Sequence, residues 1–95
     1  MLRISVVAAS EAEVVLKVEG SILESEVGLL AQEGARWLRP GRRLVLDLAG
    51  TDHIDSAGLA LLEAWSAQGL VLHGGSPYVR FLLQRRGLPH ADPRP

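Results

Sequence analysis

Residues 44–62 have the sequence LVLDLAGTDHIDSAGLALL, in which an apolar run, a polar loop and a second apolar run follow one another. The first run, residues 43–48, holds three successive large apolar side chains, which is typical of a central strand covered on both faces. The second run, residues 59–68, is rich in good helix formers and is followed by Gly69, a common C-cap. This stretch therefore predicts a buried strand that leads through a polar loop into a helix.

Two strands are predicted before this stretch. Residues 2–6 and residues 14–18 have an apolar side chain at every second position, which is the pattern of strands with one buried face. Because only a short polar interval separates them, we expect a hairpin, and we expect it at an edge of the sheet. Gly20 is predicted to end the second strand.

A helix is predicted over residues 21–38, where the apolar side chains change to a helical period. Ser21 and Glu24 have the spacing of a capping box at its start, and Ser25 is an alternative cap. Pro40 ends the helix, because proline lacks the N–H that the helical ladder needs and disfavours helical geometry in the residue before it.

The last part of the chain predicts one more strand and one more helix. The strand covers residues 70–73, and Ser76 with Pro77 forms a typical N-cap and first helical residue. The resulting order β-β-α-β-α-β-α predicts an α/β fold with a mixed four-stranded sheet, largely parallel apart from the hairpin. We assign residues 1–88 to a single domain and expect residues 89–95 to form a disordered tail.

The composition excludes several classes of function. Ten Lys and Arg against eleven Asp and Glu give a net charge of −1, which argues against the broad positive surface of a nucleic-acid partner. The absence of cysteine excludes disulfides and thiolate chemistry. No run approaches the roughly 20 apolar residues of a membrane span. We therefore expect a cytoplasmic protein without direct membrane insertion; the sequence leaves its oligomeric state open.

The polar loop between the central strand and the second helix carries the densest cluster of polar side chains, namely Asp47, Thr51, Asp52, His53, Asp55 and Ser56. In open α/β sheets this edge is where ligands and partners usually bind. A purely structural interpretation is also available. In it Asp55 or Ser56 caps the helix, and Gly58 lets the helix approach the sheet.

Catalytic and metal-binding interpretations of the loop lack required parts. A hydrolase using Ser56 and His53 would need an orienting acid and an elbow around the serine, and the Gly-x-Ser-x-Gly motif is missing. The acidic residues do not have calcium-loop spacing, and a single histidine is too few for a typical zinc site. No glycine-rich phosphate loop is present. We therefore expect no catalytic residue, no metal site and no cofactor.

Residues 44–50 and 54–62, linked by three residues, resemble the signature of STAS domains, a family named for sulfate transporters and anti-sigma factor antagonists. The order of elements agrees along nearly the whole chain. The resemblance implies a STAS-like fold and a non-enzymatic module that binds a protein partner. The partner contacts that it implies are Asp55, Ser56, Ala57, Leu59 and Glu63, with Asp47 and Gly58 structural at the loop.

Two branches of the family match the loop. In the anti-sigma factor antagonists the residue at the position of Ala57 accepts a phosphate from a partner kinase, but alanine has no hydroxyl, which leaves Ser56 as an off-register candidate for phosphorylation. This branch implies a bacterial partner-switching regulator of transcription whose partner is an anti-sigma factor or kinase-like protein. The loop also resembles the small cytoplasmic STAS subunit of phospholipid-moving ABC transporters, which docks on the ATPase subunit.

The outer face of the second helix can be predicted without the family. At about 100° per residue, Leu59 and Glu63 lie on the arc away from the sheet. Leu29 falls on the polar side of the preceding helix. We therefore expect Leu59 and Leu29 to form a small exposed apolar patch beside the polar loop, as a partner site requires.

Overall fold

The computed structural model describes residues 2–88, so the predicted tail, residues 89–95, lies outside the described residues. Eight elements follow one another: β1 (Leu2–Ala9), β2 (Glu13–Ile22), α1 (Glu24–Trp37), β3 (Arg43–Asp47), β4 (Thr51–Ile54), α2 (Ser56–Ser66), β5 (Val71–His73) and α3 (Pro77–Arg85). The predicted order is confirmed, with β4 as an additional strand. The sheet therefore has five strands and not four.

Strand β2 is the centre of the sheet. It pairs antiparallel with β1 along one side, which confirms the hairpin. Along its other side it pairs in parallel first with β3 and then, nearer its end, with β4, while β5 adds to β3. The predicted edge position is thus wrong for β2. The alternation of side chains shows which face of a strand is buried. It does not show which strands lie beside it, because neighbouring strands form hydrogen bonds in the plane of the sheet.

Strand β4 occupies residues that the sequence predicts as a connection. It exists because β2 continues past Gly20 to Ile22 and so offers a free stretch of backbone beyond the last residue paired with β3. Gly20 has a φ of 98°, and the register shifts at this point, so the glycine bends β2 without ending it. The hydroxyl of Thr51, buried at the start of β4, donates to the carbonyl of Val18 at 2.8 Å.

The predicted capping box is also wrong. Ser21 belongs to β2, α1 begins at Glu24, and the N-cap residue Leu23 supplies no side-chain acceptor. The acceptor comes from another part of the chain, since the Oδ2 atom of Asp55 lies 2.7 Å from the backbone N of Glu24. A cap from 31 residues away leaves no local sequence pattern.

Helices α1 and α2 meet through a glycine and a tryptophan. Trp65 on α2 is only 6% exposed, and its indole ring covers Gly34 on α1. A Cβ atom built on Gly34 would lie 2.2 Å from the ring, well inside contact distance. Because glycine has no side chain, α1 and α2 can approach each other this closely at Gly34.

The Gly34 contact makes a prediction with a control on the same helix. Gly34→Ala should destabilise the protein by about 1 to 3 kcal/mol, because the ring and the helix must move apart. Gly28→Ala should stabilise it by up to about 1 kcal/mol, since alanine favours helix and nothing lies within 4 Å of the added Cβ. Urea unfolding of both variants checks this. Equal stabilisation by the two changes would contradict the close contact.

Candidate functional site

One carboxylate organises the junction of β4, α1 and α2. Asp55 is the N-cap of α2, and its Oδ1 atom accepts a hydrogen bond from the backbone N–H of Gly58 at 2.9 Å. Its Oδ2 atom accepts from the backbone N–H of Glu24 at 2.7 Å, at the start of α1. The backbone N–H of Asp55 donates to the carbonyl of Ile22 at 3.1 Å. Asp55 thus caps two helices while its own backbone is tied to the end of β2.

The charge of Asp55 is stabilised by these donors. The backbone N–H of Gly58 makes the largest contribution and lowers the pKa of the carboxyl, and the N–H of Glu24 lowers it further, against an opposing effect of partial burial. Both donors stand at the positive end of a helix dipole, which also favours a negative charge. Asp55 is therefore ionised at neutral pH and held in place.

Gly58 lets α2 approach the sheet closely. An added Cβ would lie 2.8 Å from side-chain atoms of both Ile22 and Ile54. The other loop residue expected to be structural, Asp47, lies at the end of β3, where its Oδ1 atom accepts from the backbone N–H of Ala49 at 2.9 Å. Gly58 therefore belongs to the junction itself, whereas Asp47 shapes the turn that precedes β4.

Ser56 and Ala57 begin α2 beside the capped carboxylate. Ser56 is exposed and Ala57 is partly buried. We call Asp55, Ser56 and Ala57 the corner. Because Asp55 is fixed on both sides, the corner is a rigid feature of the surface.

The expected exposure of Leu59 is wrong. Leu59 is only 7% exposed and belongs to the hydrophobic core, whereas Leu29 is 50% exposed as expected. The helical period shows which face of α2 points away from the sheet but not what lies beside that face. Leu82 of α3 packs against the hydrophobic core and lines the same cleft as Leu59. The predicted apolar patch of Leu59 and Leu29 therefore does not form.

An open cleft of about 360 Å³ lies between the corner and α3. It is lined by His53, Ile54, Asp55, Ser56, Leu59, Leu82, Arg85 and Arg86. Arg86 forms an ion pair with Glu63 of α2 and also donates to the carbonyl oxygen of Ser56 at 3.2 Å. Glu63, an expected partner contact, is therefore paired at the rim of the cleft with the residue that follows α3.

Two exposed aromatic side chains that were not predicted as site residues lie beside this cleft. Tyr78 and Phe81 on α3 are 49% and 54% exposed. The Tyr78 ring stacks on His53, with 5.7 Å between centroids, and the guanidinium of Arg85 lies 5.7 Å from the centre of the Phe81 ring. At about 100° per residue along α3, Tyr78, Phe81 and Arg85 lie on one arc of the helix. The helical period therefore indicates from sequence alone that these three side chains share a face.

His53, which a hydrolase mechanism would pair with Ser56, has a different hydrogen-bond partner. The Nδ1 atom of His53 shares a hydrogen bond of 2.7 Å with the hydroxyl of Tyr78, and within residues 2–88 the histidine makes none to Ser56. The same part of the chain holds no group of three or more His, Asp or Glu side chains placed to bind a metal ion. No helix in residues 2–88 is long and apolar enough to cross a membrane.

The sequence profile of a family described as "Mlab, STAS domain" matches residues 5–90, which is nearly the whole chain. The chain belongs to the STAS domain family. No curated protein matches the sequence of this STAS domain significantly.

Solved structures of anti-sigma factor antagonists share the fold of this STAS domain. Unphosphorylated SpoIIAA superposes with a TM-score of 0.77 at 18% identity, over 99% of this chain and 89% of SpoIIAA. An anti-sigma factor antagonist from Mycobacterium paratuberculosis gives 0.78 at 24% identity, over 92% and 79% of the two chains. Phosphorylated SpoIIAA from Bacillus gives 0.70 at 17% identity, over 99% and 92%. The predicted α/β, STAS-like fold is confirmed.

Removal of the Asp55 carboxylate should destabilise the domain in a pH-dependent way. Asp55→Ala should cost about 1 to 2 kcal/mol of unfolding free energy at pH 7, because two helix N-termini lose an acceptor. The pKa of Asp55 is lowered by folding. Its contribution is therefore complete above the pKa of the unfolded chain, about 3.9, and is lost as the pH falls through the lower folded value.

Urea unfolding of wild type and variant between pH 7 and pH 3 measures this dependence. Asp52→Ala is the control, because Asp52 is an exposed aspartate three residues away; it should change the unfolding free energy by less than about 0.5 kcal/mol. A difference for Asp55→Ala that stays constant down to pH 3 would show that the charged carboxylate is not the stabilising group.

Proposed function

We propose that this STAS domain is a protein-binding module without catalytic activity, and that it is a cytoplasmic partner-switching regulator related to anti-sigma factor antagonists. The observation that carries the proposal is the exposure of Ser56 at the rim of an open cleft, directly after a carboxylate that caps two helices. A loop that is already rigid loses little conformational entropy when a partner binds it. The corner therefore has the properties of a docking site.

The surroundings of the corner support a protein as the partner. The cleft is open and has arginines on one wall, and the exposed rings of Tyr78 and Phe81 stand beside it. Aromatic and arginine side chains are enriched at the centres of protein interfaces. We assign Ser56, Ala57 and Glu63 to the docking surface together with these two rings, with Leu59 as the floor of the cleft.

Ser56 is the hydroxyl at the corner on which regulation by phosphorylation would act. A phosphate there would add a charge of about −1.5 to −2 beside Asp55. Arg86 already donates to the carbonyl of Ser56 and pairs with Glu63, so its guanidinium is close enough to exchange the carboxylate for the phosphate. Phosphorylation would thus repel an acidic partner and alter the contact between α2 and α3.

A second candidate is docking on the ATPase subunit of an ABC transporter. Two observations favour it. The loop has alanine at position 57, where the resemblance to the antagonists places the phosphate acceptor, and the hydroxyl one position earlier, on Ser56, is exposed. In this role the corner would be a permanent contact, and phosphorylation would play no part.

Photo-crosslinking from single positions separates the two candidates. A crosslinking residue placed at Ser56 or Phe81 in the source organism should capture the partner, and one at Glu11 should not, because the β1–β2 turn lies at the other end of β2. Capture of an anti-sigma factor with a kinase fold supports the regulator. Capture of an ABC ATPase supports the transporter subunit, and crosslinks from Glu11 alone would contradict docking at the corner.

Charge at the corner should weaken this binding. Ser56→Glu is expected to reduce affinity for the captured partner by about 1 to 3 kcal/mol, because it places an imperfectly paired charge in the interface. Gln32→Glu adds the same charge at an exposed position on α1 and serves as the control. Isothermal titration calorimetry measures both variants. Unchanged affinity of Ser56→Glu would remove the corner from the interface.

A further inference from the structure

A second charged site lies at the opposite end of β2 from the corner. Four of the ten basic residues of the chain fall within residues 36–43, namely Arg36, Arg39, Arg42 and Arg43. Three of them line an open cleft of about 540 Å³ between the end of α1 and the segment that follows α2. Nothing in the proposed docking at the corner uses these arginines.

The backbone of residues 39–42, which we call the arginine turn, places two of these side chains together. The backbone N–H of Arg42 donates to the carbonyl of Arg39 at 3.2 Å, and the two residues pair as antiparallel neighbours. Pro40 and Gly41 occupy the central positions, and Gly41 has a φ of +82°, which is typical of a type II turn. The turn is therefore a fixed hairpin with an arginine on each side.

Neighbouring residues neutralise only part of this charge. Arg43 forms an ion pair with Glu13 at 3.1 Å, and Arg36 forms one with Glu33 at 3.2 Å. The guanidinium of Arg42 lies 6.0 Å from the centre of the Trp37 ring. Within residues 2–88 no carboxylate pairs with Arg39 or Arg42. Like charges that face each other across a hairpin repel, so the turn keeps an unfavourable arrangement that a bound anion would relieve.

We propose that the arginine turn binds a phosphate group. The planar guanidinium of arginine donates two parallel hydrogen bonds to phosphate, and Arg39 and Arg42 project such donors from a turn whose backbone is already fixed. Arg43 adds a third guanidinium at the lining of the cleft, and its pairing with Glu13 at an exposed position is weak enough to be shared.

The cleft beside the arginine turn has room for a ligand larger than a free phosphate ion. A volume of about 540 Å³ exceeds that of a free phosphate ion and accommodates a phosphate ester such as glycerol phosphate. A phosphate ester occurs as a monoester in soluble glycerol 3-phosphate and as a diester in the headgroup of phosphatidylglycerol. The arginine turn recognises the shared chemistry, and its distance from the corner leaves the docking surface free when the ligand is bound.

Two titrations test the site and identify the source of the phosphate. Glycerol 3-phosphate is titrated into the labelled full chain and followed by amide chemical shifts, and phosphatidylglycerol vesicles are compared with phosphatidylcholine vesicles by cosedimentation. We expect shifts concentrated in residues 36–43 with the soluble ester, or binding to phosphatidylglycerol vesicles alone if the headgroup is the ligand. Either result supports the proposal.

The variant Arg39→Gln/Arg42→Gln should weaken the observed binding about tenfold or more. The control Arg3→Gln/Lys17→Gln removes the same charge from β1 and β2 and should bind as the wild type does, and amide spectra verify that both variants are folded. Equal losses in the two variants, shifts spread over the whole surface, absence of binding to both probes, or tighter binding to single-stranded RNA would overturn the proposal.

Discussion

The carboxylate of Asp55 accepts hydrogen bonds from the first turns of two helices, and the arrangement of the corner depends on it. A helix N-terminus carries N–H groups without intrahelical partners, and α1 lacks a cap of its own because Leu23 has no acceptor. Asp55 supplies that acceptor while it also caps α2. The starts of α1 and α2 are thereby joined at one point beside the end of β2. Ser56 follows this point directly, so its position is set by the same bonds.

Local patterns in the sequence predicted the order of the elements, and long-range contacts explain what they missed. Alternation identified β1 and β2, the apolar run identified β3, and Ser76 with Pro77 marked the start of α3, whose cap is observed. Strand β4 has only four residues and three of them are polar, so no periodicity distinguishes it from a loop. Its existence depends on the extension of β2 past Gly20, which is a property of the sheet as a whole.

The candidate site was predictable where it depends on a single element. Asp55 was expected as a cap of α2 from the residues around it, but its bond to Glu24 joins positions 31 residues apart. Leu59 was predicted to be exposed because its burial in the hydrophobic core depends on tertiary packing, which the helical period does not show. The helical period of α3 was sufficient to predict that Tyr78 and Phe81 lie on the same face of that helix. The sequence Arg-Pro-Gly-Arg of residues 39–42 is typical of the turn that pairs Arg39 with Arg42. It was interpreted only as the end of a helix, and the turn itself was not predicted.

The central position of β2 has a consequence for how the chain folds during synthesis. The β1–β2 hairpin is complete once residue 22 has left the ribosome, but β2 still offers an open edge along its whole length. That edge is not filled until Ile54 has also emerged, since β3 and β4 cover successive parts of it. For some thirty residues of translation the nascent chain therefore carries a hairpin with one unpaired edge on β2, and an exposed edge of this kind favours aggregation.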